Sequence, residues 1–336
     1  MRLHPVDPAS PDPDVIADAA ARLRVGELVA FPTETVYGLG ANALDSAAVA
    51  RIYTAKGRPA YNPIIVHVAH TDAARRVVTQ WPEAATRLAA AFWPGPLTIV
   101  LPKSADVPDT VSAGLPLIGV RVPAHPVALA LLRAARIPVA APSANKSNQL
   151  SPTSAEHVRR GLADVECVVL DGGACAVGIE STVVDLSGDQ PTLLRPGGVS
   201  VAALESVLGV KLQRPTPVRA ADEPRRSPGA LDRHYAPRAR LRMVAAGDAV
   251  ALATTIDSLR GPGARIGVVI YSDFGLPFRD DVIVRAMPSR AESYASLLFA
   301  ALHELDAAGV AAIAVEQVPD APIWDAVRDR LRRAVS

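Results

Sequence analysis

Four polar loops concentrate the residue types that bind anions. PTETVYGLG (32–40) presents Thr33, Glu34, Thr35 and Tyr37, and KGRPAYN (56–62) supplies Lys56, Arg58 and Asn62. PSANKS (142–147) carries Ser143 and Asn145; GIEST (178–182) carries Glu180 and Ser181, with RPGG (195–198) close behind. Any one of these loops alone reads as turn chemistry, and Lys56 and Arg58 alone as the solvated end of a helix. Together they place hydroxyl, amide and cationic groups at strand-to-loop junctions, where open α/β sheets bind ligands. Phosphate suits them: Lys and Arg bring charge and donors, Ser and Asn neutral donors. No G-x-x-x-x-G-K-[ST] stretch exists and no G-x-G-x-x-G follows a strand, so a nucleotide bound here is held by neither common glycine-rich design.

Two residues stand out inside apolar runs: His67 in IIVHV and Arg121 in IGVRVP. A lone strand histidine is compatible with a satisfied, half-buried side chain. A buried guanidinium demands an anionic partner, and Glu180 or a substrate carboxylate fills that role. No G-x-S-x-G elbow occurs, His67 and His125 lack a paired serine, and no His/carboxylate spacing suits a transition metal. The protein side chains are therefore expected to supply no metal site.

The elements that must position these loops alternate. A helix over 14–25 stops at Gly26, a strand over 28–31 empties into the first loop, and Asp45 caps a helix running to Lys56. Strands follow at 64–68, 97–101, 117–122 and 138–141, with helices at 71–79, 83–92 and 126–136. After a helix at 153–161 come strands at 167–171, 182–186 and 192–194; the short links between them predict a mixed sheet. Residues 211–240 are rich in proline and charge without apolar periodicity and read as a linker. Beyond it, strands at 242–245, 266–270, 282–285 and 311–315 with helices at 247–259, 290–308 and 322–334 predict a smaller α/β domain with a parallel sheet. The expected organisation is a catalytic domain over 1–210, a linker over 211–240 and a C-terminal domain over 241–336.

Length and composition agree. A chain of 336 residues, 49% hydrophobic and 21% charged, is a folded two-domain protein by default. A net charge of +1 argues against a passive nucleic-acid binder. Arg225-Arg226 and the Arg238/Arg240 pair read as solvated linker charges, with RNA contact as the alternative. Cys167 and Cys175 make neither a disulfide framework nor a zinc site. No secretory signal and no apolar run near ~20 residues is present, so a cytoplasmic protein is expected.

In order along the chain, FPTETVYGLGANA, KGRPAYNPIIVHV, FWPGPLTIVLPKS, IGVRVPAHP, APSANKSNQLSPT, GIESTVVDL and LLRPGG resemble the signature segments of YrdC-like threonylcarbamoyl-AMP synthases. SPGALDRHYAP resembles the interdomain linker of the long form of that family, and ESYASLLFAALHELDAAGVAAIAVEQ with DAVRDRLRRA its extra domain. The resemblance implies a YrdC-like catalytic domain with a mixed twisted sheet and a Rossmann-like C-terminal α/β domain. It implies a reaction in which L-threonine, bicarbonate or CO2 and ATP, with Mg2+, give threonylcarbamoyl-AMP and pyrophosphate. A separate tRNA threonylcarbamoyl transferase complex then modifies adenosine 37 of ANN-decoding tRNAs, so tRNA is an indirect partner. By the same resemblance Lys56, Arg58, Ser143 and Asn145 bind the nucleotide phosphates, and Asn62, Ala141, Ser151 and Arg195 line the nucleotide site. Thr35, His67, Arg121 and Ser181 hold threonine, and Tyr235 closes over the nucleotide. The chain departs from the family pattern at API (321–323) and Trp324, at ALD (230–232) and at Asn148-Gln149. The rival expectations are an RNA-binding, translation-associated factor without ATP turnover, against which the low aromatic content counts, and a hydrogenase-maturation carbamoyltransferase, whose cysteine pairs are missing.

Overall fold

The computed structural model describes residues 1–214 and 235–335. These divide between two compact units: residues 1–147 with 151–214, and residues 235–335 with the segment Asn148–Leu150. Most of the expected linker, with Arg225-Arg226 and the 230–232 departure, lies outside the described residues.

In the first unit the strands are β1 (Arg2–Pro5), β2 (Val29–Phe31), β3 (Gly38–Asn42), β4 (Val66–His67), β5 (Leu97–Pro102), β6 (Leu117–Arg121), β7 (Val139–Ala140), β8 (Val168–Asp171), β9 (Thr182–Asp185) and β10 (Thr192–Arg195). Among the described residues they form one ten-stranded sheet in the order β1-β8-β2-β3-β7-β4-β6-β5-β9-β10. The sheet is mixed, as expected: β4 runs parallel to β6, for example, and β5 antiparallel to it. Helices cover both faces. Against one face pack α2 (Ser46–Lys56), α3 (Thr71–Arg76), α4 (Glu83–Phe92), α5 (Asp109–Ser112), α7 (Ala155–Gly161) and α8 (Val201–Leu208), which share a core through Ile52, Leu88, Val158 and Leu204. Against the other pack α1 (Pro13–Arg24) and α6 (Pro126–Ala135), through Leu23 and Leu131.

Local chemistry sets the helix ends that matter for the loops. The Asp45 carboxylate accepts from the Ala47 and Ala48 N–H groups and starts α2. Gly57 ends it in the left-handed conformation (φ 59°), and the Arg58 N–H folds back to the Tyr53 carbonyl. Lys56 is thereby the last helical residue, and Arg58 leaves on the far side of the turn.

The structure differs from the sequence expectation in several places. The second half of PTETVYGLG is a strand: β3 pairs antiparallel with β2, and a Cβ at Gly40 would lie 2.8 Å from the Phe31 ring. Glycine reads as loop in sequence, but here it permits close approach of neighbouring chains. The strand expected over 64–68 shrinks to Val66–His67. β1 and α8 were absent from the expectation. β1 is short and mostly exposed, and α8 is eight residues long; neither length carries a strong period.

The second unit contains β11 (Arg240–Val244), α9 (Ala249–Leu259), β12 (Ile266–Ile270), β13 (Val282–Ala286), α10 (Ala291–Ala307), β14 (Ala312–Glu316), a 3-10 turn (Pro322–Trp324) and α11 (Asp325–Ala334). Its sheet, ordered β11-β14-β12-β13, is parallel in every pairing, as the strand–helix alternation predicts. At the C-terminal end of β14 the buried Glu316 carboxylate accepts from the Gly247, Tyr271 and Ser272 N–H groups, which satisfies a charge that burial otherwise disfavours.

Candidate functional site

The four polar loops converge in the first unit through backbone hydrogen bonds. The Tyr37 N–H donates to the Pro152 carbonyl, and the Tyr37 carbonyl accepts from the Ala144 N–H, both at 2.8 Å. The Glu34 carbonyl accepts from the Val177 N–H at 2.7 Å, and the Lys56 carbonyl from the Ser147 N–H at 2.8 Å. The first loop thus touches the third and fourth, and the second touches the third.

Thr33 shapes the first loop. Its Oγ1 donates to the Val36 carbonyl (2.6 Å) and accepts from the Thr35 and Val36 N–H groups, a side-chain turn that holds Glu34 and Thr35 inward. Strand register supplies their neighbours. His67 pairs with Arg121 across β4 and β6, so both side chains share one face of the sheet. The Arg121 guanidinium donates to Glu34 Oε1 (2.6 Å), Thr35 Oγ1 (2.9 Å) and the Gly95 carbonyl (3.2 Å). Its partner in the chain is therefore Glu34 and not Glu180, because the inward turn at Thr33 brings Glu34 to the end of β6. Glu180 instead accepts from the Ser151 hydroxyl.

His67 is buried, and its Nδ1 has no hydrogen-bond partner among the described residues. Burial, reinforced by the Arg121 charge, lowers its pKa to about 3, so the imidazole is neutral. A fully buried neutral ring with an unused nitrogen can make a hydrogen bond but carries no charge for an ion pair.

The cationic end of the site is built from α2 and the third loop. Lys56 Nζ donates to the Ser143 and Asn145 carbonyls, and Arg58 donates to the Asn62 (3.0 Å) and Pro63 (2.7 Å) carbonyls. Both side chains are buried. Burial, then the charges of Arg58 and Lys146, depress the Lys56 pKa well below the ordinary lysine value, while the carbonyls that accept from it favour the ammonium. Buried cationic groups held by neutral carbonyls suit an arriving anion. Ala141, which directly follows β7, donates its N–H to the Ile65 carbonyl.

Arg195, at the end of β10, donates to both the Ser181 carbonyl and Oγ (3.1 Å each), and Ser181 Oγ also shares a hydrogen bond with Thr98 Oγ1 at 2.8 Å. Gly197 permits this contact: a Cβ there would sit 2.3 Å from the Glu180 carbonyl oxygen. Among the expected residues of the first unit, Thr35 and Arg121, Lys56 with Ser143 and Asn145, Arg58 with Asn62, and Ser181 with Arg195 are in direct contact. Tyr235 belongs to the second unit, where its buried ring stands 5.7 Å from Phe299 and under the Arg330 guanidinium at 5.1 Å. Sequence reasoning passed over Glu34 and Thr98 as site residues. The signal for Glu34 was present: Arg121 required an anion, and Glu34 is a carboxylate between two threonines.

The fold and the loops define an α/β protein whose buried polar cluster gathers lysine, arginine and asparagine without a phosphate-binding glycine loop. The family described as telomere recombination matches residues 21–197, and the threonylcarbamoyl-AMP synthase C-terminal domain family matches residues 199–336. The chain is 43% identical over 321 residues to a threonylcarbamoyl-AMP synthase of Pyrococcus abyssi, covering 94% of this chain and 92% of that one. It is 41% identical over 330 residues to that of Bacillus subtilis, covering 98% and 95%. The crystal structure of P. abyssi Sua5 complexed with L-threonine superposes with a TM-score of 0.89 at 41% identity, covering 99% of this chain and 97% of that one. The chain belongs to the threonylcarbamoyl-AMP synthase family.

Proposed function

We propose that this chain joins L-threonine, CO2 or bicarbonate, and ATP into threonylcarbamoyl-AMP with release of pyrophosphate. The observation that carries the reading is the presence, within one unit, of buried cationic side chains at Lys56 and Arg58 and of a second guanidinium at Arg121, bonded to Thr35 and paired in register with His67. Two anionic groups of different substrates suit two such places. The family relationship and the threonine bound in the P. abyssi protein support the choice of amino acid.

In this mechanism the neutral threonine amine captures CO2 and loses a proton to give a carbamate. A carbamate oxygen attacks the α-phosphorus in line, the bond from that phosphorus to the bridging oxygen breaks, and pyrophosphate carries the electron pair away. No covalent enzyme intermediate is needed, so the protein's work is positioning and charge stabilisation. Lys56, Arg58, Ser143 and Asn145 hold the phosphates, with Asn62, Ala141, Ser151 and Arg195 lining the nucleotide site. Thr35, His67, Arg121 and Ser181 hold threonine. Mg2+, brought by the nucleotide, would be held largely by the phosphates and water and would offset their charge. A transferase complex acting on tRNA would consume the product.

The test is pyrophosphate formation measured with and without threonine and bicarbonate. Turnover indifferent to threonine refutes the reading. Lys56→Ala and Arg58→Ala are each expected to abolish pyrophosphate release, and normal turnover in either removes the phosphate assignment.

A further inference from the structure

The Arg121 guanidinium has five N–H donors. Nε–H is committed to the Gly95 carbonyl, one Nη1–H to Thr35 Oγ1 and one Nη2–H to Glu34 Oε1. One N–H on each terminal nitrogen is left. Both lie in the guanidinium plane, one on each terminal nitrogen, and a carboxylate accepts from donors of this kind. Rotation of the group breaks at least one of its three existing bonds, so those bonds decide where the open pair points.

Glu34 is the only charged member of that set, and it is itself anchored. Its second oxygen accepts from the Ala124 N–H at 2.9 Å, and its own carbonyl accepts from the Val177 N–H at 2.7 Å. The ion pair is almost fully shielded, with side-chain exposures of 4% for Arg121 and 10% for Glu34. A carboxylate held from two sides cannot follow the guanidinium if it swings, and its charge balances a cation that would otherwise stand alone in the protein interior.

We propose that Glu34 is a positioning residue for threonine capture: by fixing and neutralising Arg121 it presents one N–H from each terminal nitrogen to the threonine carboxylate. The inference rests on the reading of Arg121 as the threonine carboxylate's partner. Glu34 acts through Arg121 alone, so its loss weakens the grip on threonine equally in the ground state and the transition state.

Glu34→Gln tests this. A glutamine has one oxygen and one NH2, so it cannot place an acceptor at both carboxylate-oxygen positions, one facing Arg121 and the other the Ala124 N–H. The expected result is a KM for threonine raised about tenfold or more, with kcat within about threefold and KM for ATP within about twofold of the parent. Glu34→Asp, which keeps the charge, should recover part of the loss. A second measurement compares binding of L-threonine with that of L-threoninamide, which lacks the carboxylate charge. The parent should prefer threonine strongly, and Glu34→Gln should narrow that preference. A parent that does not discriminate refutes the Arg121 reading itself. A discriminating parent whose preference and threonine KM are unchanged in both Glu34 variants overturns the role of Glu34. A lowered melting temperature with unchanged threonine KM does so too, since it makes the pair merely structural.

Discussion

His67 couples the site to the acid stability of the first unit. Its pKa is about 3 in the folded protein against 6.5 for an ordinary histidine. The unfolded chain therefore binds the extra proton more readily, and between those two values stability rises with pH. The contribution is fully present above the ordinary value and is lost as pH falls from 6.5 toward 3. One pKa unit is worth about 1.36 kcal/mol, so the loss is about 2 kcal/mol at pH 5 and approaches about 5 kcal/mol below the folded pKa. Other groups titrate in the same range, and comparison with His67→Gln removes them. Glutamine keeps polarity without a proton to gain. Urea unfolding followed by the fluorescence of Trp81 and Trp93, in a Trp324→Phe background, confines the signal to the first unit. Between pH 7.5 and 5 the parent should lose about 2 kcal/mol relative to His67→Gln. Parallel stability curves for the two proteins would show that His67 titrates normally and that its burial beside Arg121 has no energetic consequence.

Two further expectations concern the loops. Nucleotide affinity should fall as pH rises through the depressed Lys56 pKa, because the ammonium that meets the phosphate is then lost. Calorimetry above about pH 7.5, where the phosphates no longer titrate, should show this slope in the parent and none in Lys56→Met; equal slopes defeat the expectation. Gly197→Ala would place a Cβ 2.3 Å from the Glu180 oxygen and 2.4 Å from the Thr182 nitrogen. Backbone must move to relieve this, so a cost of about 3 kcal/mol or more and a displaced Ser181–Arg195 contact are expected. Thermal melting and the threonine KM measure the two effects, and a variant that behaves as the parent contradicts them.

The helices and most strands were legible because their signals are local. Asp45 and Gly57 mark the ends of α2 by capping chemistry, and Lys56 and Arg58 flank that stop in sequence as they do in space. The contacts between loops were not legible in the same way. That His67 and Arg121 share a face follows from a register between strands more than fifty residues apart, and no local pattern encodes register. The same non-locality hid the Arg121 partner. Sequence distance does not select between Glu180 and Glu34, whereas the Thr33 turn brings Glu34 to Arg121.

The pairing of Arg121 with Glu34 also bears on how a site with several buried cations stays folded before substrate arrives. Lys56 rests on backbone carbonyls, which stabilise a cation without cancelling its charge. Arg121 rests on a carboxylate, which cancels it. The two arrangements favour different ligands. A polyphosphate brings enough negative charge to displace weak carbonyl contacts and is drawn to uncancelled cations. A single carboxylate is better served by a neutral, fixed pair that offers directed N–H groups, because orientation and not net charge then decides binding. On this argument the buried charges are apportioned by substrate, and moving the carboxylate from Glu34 to the Lys56 end should weaken nucleotide binding more than threonine binding.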